Sequence, residues 1–164
     1  MSGLATRTRT FSWSDPAEAA AVGIELSGLE YMKAIAEGRM PPPPIASLLG
    51  FTVAEAENGR AVFAMEAAEW MCNPLGGVHG GIAATILDSC MGCAVHTTLA
   101  AGVGYATTDL QVRYIRPLSP GSRVLAVGTV VHVGRRTATA EGRLVTEDGE
   151  VLLAHATTGC AIFS

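Results

Sequence analysis

The stretch 73-NPLGGVHGGIAATILDSC-90 runs from a turn-rich segment through one histidine into an apolar run that carries a single acid, Asp88. Residues 81 to 100 contain no proline and are dominated by Ala, Ile, Leu and Cys, a pattern that predicts one long buried helix. Two glycines, Gly80 and Gly81, open it at a cost of about 1 kcal/mol each relative to alanine, so they need a reason. One reason is access: a helix N-terminus carries unpaired N–H groups and partial positive charge, and glycine lets a ligand oxygen approach them. The other is close packing of the helix start against a sheet. Asp88 lies seven residues after Gly81, two helical turns on and on nearly the same face. Isolated carboxylates are rarely buried without a partner or a task. A cationic or amide partner is one reading and a chemical role the other.

Spacing adds a constraint. At about 1.5 Å rise per residue, Asp88 sits roughly 10 Å from the helix start. One substrate carbon cannot touch both from the same helix. Two such helices packed antiparallel across a two-fold axis would bring one chain's Asp88 near the other's Gly80, so the motif predicts at least a homodimer.

Upstream, 51-FTVAEAE-57 and 60-RAVFAM-65 flank Asn58-Gly59, a strong hairpin signal. Before it, residues 1–13 read as a polar, frayed end. Ser14 is a candidate cap and Pro16 a first-turn residue for a helix from Ala17 to about Gly38, with an apolar face of Val22, Leu26, Leu29 and Ala36. Pro41–Pro44 stops that helix, and a short helical turn is expected over Ile45–Leu49. Downstream, strands are expected over Thr107–Arg116, Arg123–Val133, Arg136–Thr146 and Val151–Phe163, in a meander. The fold class is α+β: an antiparallel sheet wrapped around one long helix, with an N-terminal extension at residues 1–44 and the main domain at 45–164.

The composition limits function. Apolar residues make up 49% of the 164 and charged residues 16%, so few charges must cover the surface and a subunit contact is expected to hide part of it. A formal net charge of −4 argues against nucleic acid as a partner. No run of eighteen apolar residues suits a membrane span, and Arg7 and Arg9 are followed by no apolar signal region. The four cysteines read as reduced thiols, and the expected location is cytoplasmic. Cys90 and Cys93 match C-x-x-C, with His96 three residues on, but mid-helix and without a second pair; packing is the expected role. His132 and His155 read as structural or surface residues. Trp13 and Trp70 could pack on the core or on a substrate pocket.

Asn73, then His79-Gly80-Gly81, then Asp88 nine residues after the histidine, resembles the motif of the hotdog-fold acyl-CoA thioesterases of the PaaI-like group. The later stretches 107-TTDLQVRYIRPLSPG-121, 134-GRR-136 and 154-AHATTGCAIF-163 resemble that group's strands in the same order, so the likeness spans about Ile45 to Ile162. The resemblance implies hydrolysis of an acyl-CoA thioester, with no metal or redox cofactor, in a homodimer and more fully a homotetramer. By the same resemblance, the Gly80 amide, with Gly81 beside it, polarises the thioester carbonyl, and Asp88 of the neighbouring chain is general base or nucleophile. His79 and Asn73 position the thioester or the water; Thr107, or else Thr108, orients that water. Arg116, Arg135 and Arg136 are the candidates for CoA phosphates. A non-catalytic acyl-CoA sensor on the same fold is the alternative, and a hydratase a weaker one, since those pair the acid with a histidine that Asp88 lacks.

Overall fold

The Asn58-Gly59 pair turns the chain as its sequence demands. Gly59 takes a left-handed φ of 78°, and the hairpin it closes joins β1 (Phe51–Glu57) to β2 (Arg60–Glu66). The computed structural model describes residues 5–164. The long helix is α4 (Gly80–His96), and it is followed by β3 (Gly104–Tyr114), β4 (Arg123–Val133), β5 (Thr137–Thr146) and β6 (Leu152–Phe163). All pairings are antiparallel, in the order β1-β2-β4-β5-β6-β3, and α4 contacts every strand.

Helix α4 stops at His96 rather than at Ala100 because Thr97 terminates it. The buried Thr97 hydroxyl donates to the Ala94 carbonyl at 2.6 Å and accepts the Gly59 N–H at 2.8 Å, tying the helix end to the hairpin turn. The helix is buried by its apolar run: Ile86, Leu87, Cys90, Met91, Ala94 and Val95 are fully inaccessible.

The expected meander holds for β4, β5 and β6 but not for β3, which lies at the far edge on β6. The connection after β3 crosses beneath the start of α4 instead of turning back. Ile115 and Arg116 N–H both bond the Leu153 carbonyl, and the buried Leu118 accepts the Val78 N–H. One edge of β3 is therefore free. Ala106, Thr107, Thr108 and Asp109 are exposed in succession around a bulge at Thr108, and Leu110 and Val112 beyond it turn inward at half-burial.

The N-terminal segment differs from its sequence reading. Two helices stand where one was expected, α1 (Pro16–Gly23) and α2 (Gly28–Ala36). Ser27 and Glu30 form a capping box: the Glu30 carboxylate accepts the Ser27 N–H at 2.9 Å and the Ser27 hydroxyl accepts the Glu30 N–H at 3.3 Å, which starts a new helix there. Asp15, not Ser14, caps α1, accepting the Ala17 N–H at 2.8 Å. The restart resets the buried face. Met32 and Ala34 are buried, whereas Val22 and Ala36 are exposed. After the prolines, α3 (Pro44–Leu49) matches the expected turn.

Helix α2 packs on β1, and its first turn is pinned to the end of α4. Gly28 N–H bonds the Leu99 carbonyl at 3.0 Å, and a Cβ at Gly28 would sit 1.8 Å from the His96 carbonyl oxygen. Of the frayed end expected at residues 1–13, residues 1–4 lie outside the described residues. The remainder is tethered: Arg7 pairs with Glu69, and Arg9 bonds Leu48 while its guanidinium lies 4.0 Å over the Trp70 ring. Trp13 and Trp70 are both exposed. Among the described residues no helix is long and apolar enough to cross a membrane.

The His96 ring lies 5.6 Å from Tyr31 and 5.5 Å from Tyr105, between α2 and β3. Burial there holds its imidazole below the ordinary pKa of 6.5. The unfolded chain thus binds the proton more readily just below that value. The contribution to stability should be fully present above pH 6.5 and fall as pH descends through the depressed folded pKa. Denaturant unfolding across this range should show the slope, and His96→Phe, which keeps a ring in the slot, should flatten it.

Candidate active site

The loop before α4 is shaped by Asn73. Its side-chain oxygen accepts the Leu75 N–H at 2.9 Å, its N–H donates to the Gly77 carbonyl at 2.8 Å, and its carbonyl accepts the Gly76 N–H at 3.0 Å. The loop closes with Cys72 bridged to Val78. His79 then caps α4: its Nδ1 accepts the Gly81 N–H at 2.9 Å, which leaves the proton of the neutral ring on Nε2. The Gly80 amide, first in the helix, lies outside the helical ladder by position. The Tyr114 hydroxyl donates to the Gly80 carbonyl at 3.0 Å, and a Cβ at Gly80 would come within 3.1 Å of the tyrosine ring. So the glycine has a packing reason. His79, Gly80, Tyr114 and Arg116 share a hollow of about 310 Å³, where the Arg116 guanidinium donates to the Leu152 carbonyl at 2.8 Å.

Asp88 faces a different space. It is half-buried, and its Oδ1 accepts the Thr107 hydroxyl at 2.9 Å. No cation pairs with it among the described residues. The cavity beside it measures about 350 Å³, with Phe51 and Phe63 from the hairpin, Thr107 from β3, and Tyr31, Met32 and Ile35 from α2. Thr108 is turned away by the bulge, its hydroxyl 3.4 Å from the Asp109 carboxylate, so Thr107 is the threonine that meets Asp88.

The two cavities share no lining residue. Along the helix, eight residues separate Gly80 from Asp88 by about 12 Å. One chain therefore holds the start of α4 and the Asp88 carboxylate in separate hollows. Arg135 and Arg136 are exposed in the β4–β5 turn, where Arg136 accepts the Ile162 N–H. Register puts them level with Tyr105, at the end of the sheet opposite Arg116 and Gly80.

Sequence reasoning left out Tyr31 and Tyr105 and assigned His96 no part. A stripe was present: Asp88, Gly92 and His96 recur every four residues on one helical face. Gly92 admits the Tyr105 ring, whose atoms would come within 2.7 Å of a Cβ there. The C-x-x-C pair is packing, as expected. Burial raises the Cys90 thiol far above its ordinary range and pushes Cys93 up to about 12, so neither is a thiolate near neutral pH. Among the described residues no three His, Cys, Asp or Glu side chains gather as metal ligands.

Residues 75–153, which hold α4 and β3 to β5, match the model of the thioesterase superfamily. A candidate esterase of Halobacterium salinarum is 37% identical over 107 residues, covering 62% of this chain and 70% of that one. Acyl-coenzyme A thioesterase 13 of mouse is 26% identical over 103 residues, 63% of this chain and 73% of that one. Among solved structures, a variant of the phenylacetic acid degradation protein PaaI from Thermus thermophilus is 32% identical and superposes with a TM-score of 0.67, covering 73% of this chain and 98% of that one. A sheet folded about one long helix is thus shared with these proteins, and this chain belongs to the thioesterase superfamily as a PaaI-like hotdog thioester hydrolase.

Proposed function

We propose that the protein hydrolyses acyl-CoA thioesters at sites shared between two subunits, with Asp88 as general base. The observation that carries this reading is the Asp88–Thr107 pair: a half-buried carboxylate without a cation partner among the described residues, held by one hydroxyl at 2.9 Å and facing a largely apolar cavity. Thr107 occupies Oδ1 and leaves Oδ2 free to accept a proton, while the hydroxyl's lone pairs can hold the same water. That water attacks the thioester carbonyl carbon as Asp88 takes its proton. The oxyanion that forms is met by the Gly80 N–H at the positive end of α4 of the other subunit. Collapse breaks the C–S bond, and the departing thiolate recovers the proton from Asp88, giving the free acid and CoA.

Sharing follows from distance. The two halves lie about 12 Å apart on one helix, in separate hollows, so one carbonyl carbon meets both only if a second α4 runs antiparallel beside the first. The free edge of β3 offers the surface for such pairing, strand to strand, through Ala106 to Asp109. Arg116 beside the Gly80 hollow, and Arg135 and Arg136 of a neighbouring chain, supply cations for the nucleotide phosphates. His79 and Asn73 fix the loop that presents the Gly80 amide.

Three outcomes test this reading. Asp88→Asn, nearly isosteric but unable to accept the proton, should lower kcat by about 10²–10⁴-fold with an unchanged melting curve; a near-wild-type rate would sink the assignment. Thr107→Val should cost about 10–100-fold, the worth of a hydrogen bond to a charged group, while Thr108→Val should leave the rate nearly intact. Gly80→Pro removes the amide proton, and His79 already has the extended backbone that a following proline requires (ψ 134°). Mixed dimers of Gly80→Pro and Asp88→Asn chains, each inactive alone, should regain activity through one intact site per hybrid. Demonstrated subunit exchange without recovery would rule out sharing.

A further inference from the structure

A second apolar hollow, of about 450 Å³, lies behind the Asp88 cavity between α1 and the opening of β3. Ile24, Leu26, Val103 and Phe163 line it, and two residues, Tyr31 and His96, line both spaces. Tyr31 is the larger part of this partition, and its position is fixed from three sides. Helix α2, which carries it, is pinned through Gly28 to Leu99, just past the end of α4. One side of the ring lies against Gly23, where a Cβ would come 2.6 Å from the ring edge; the other faces His96 at 5.6 Å between centroids.

We propose that Tyr31 determines which acyl groups this enzyme accepts, its ring forming with His96 the floor of the acyl cavity beside Asp88. The inference rests on the hydrolase reading above. An acyl chain whose carbonyl lies at Asp88 extends past Cys93 along α4 and meets that ring. With the floor in place, the cavity sits at the small end of the about 300–1,000 Å³ typical of ligand pockets and suits short-chain or ring-sized acyl groups. Without it, the two hollows join into a space of ordinary size for a long chain, largely apolar beyond Asp88. Tyr31 lies outside residues 75–153, the part matched to the superfamily, so the larger part of the floor comes from the N-terminal segment.

The test compares wild type with Tyr31→Ala, Tyr31→Leu and Tyr31→Phe on butanoyl-, phenylacetyl-, octanoyl- and tetradecanoyl-CoA. Tyr31→Ala and Tyr31→Leu should raise kcat/KM for the tetradecanoyl ester relative to the butanoyl ester by about tenfold or more, since each added buried methylene carries a factor of this size. Tyr31→Phe keeps the ring and should keep the wild-type ranking. The leucine variant, which retains packing on α2, decides the matter if the alanine variant does not fold. An unchanged ranking in a folded leucine or alanine variant, or an equal loss on every ester, overturns the proposal. Calorimetric binding of butanoate and tetradecanoate reads the floor without turnover. If wild type cleaves none of the esters, the hydrolysis reading falls, and the floor is still decided by whether the leucine variant gains affinity for tetradecanoate that wild type lacks.

Discussion

The close approach of α4 to the sheet is the constraint on which everything else hangs. Helix and sheet meet where Gly128 of β4 has no side chain: a Cβ there would lie 2.2 Å from the Cys90 carbonyl oxygen. Gly142 on β5 repeats the device one strand over, its missing Cβ 2.9 Å from the Met91 side chain. With this lane of glycines the sheet closes on the helix and buries Ile86, Leu87, Cys90 and Met91. The same contact fixes the rotation of α4 about its axis. That rotation aims Asp88 at β3 and at the cavity under α2, instead of into the sheet.

Burial keeps the Cys90 and Cys93 thiols and the Tyr105 phenol beside Asp88 in their protonated forms, and the carboxylate's charge adds a smaller push in the same direction. The carboxylate thus sits among groups that stay neutral and do not compete with it for a proton. A lone charge in so apolar a setting is costly, and the Thr107 hydroxyl offsets part of that cost while leaving half of the carboxylate free. In the function proposed above, stability at one helical turn is given up for a group able to react.

Much of this was legible in residues 51–100. Asn58-Gly59 named its own turn, the proline-free apolar run named α4, and the Gly81-to-Asp88 spacing put the helix start and the carboxylate two turns apart. Local rules reached that far because hairpin turns and helical faces are set within a few residues of sequence. The place of β3 was not legible in this way. It depends on the crossing held by Leu118 and Leu153, contacts between distant segments that no periodicity records. The break between α1 and α2 was legible in principle, in Ser27 and Glu30, but the run of helix-forming residues on either side masked it. Tyr31 left no trace, since its role exists only where Gly23 and His96 meet it in space.

Strand order has a consequence for how the chain reaches this state. Glu57 finds Arg60 across a two-residue turn, whereas Thr107 must find Cys160 at the far end of the chain. Pairings of such unequal range give a high relative contact order, which places this topology among the slower folders of its size. The hydrogen bond between Asp88 and Thr107 needs α4 seated and β3 docked, so it belongs to the late, non-local stage of assembly. Until then the β3 segment of the nascent chain is an unpaired strand in search of a partner, and kinetic partitioning between β6 and another molecule sets the yield of native protein.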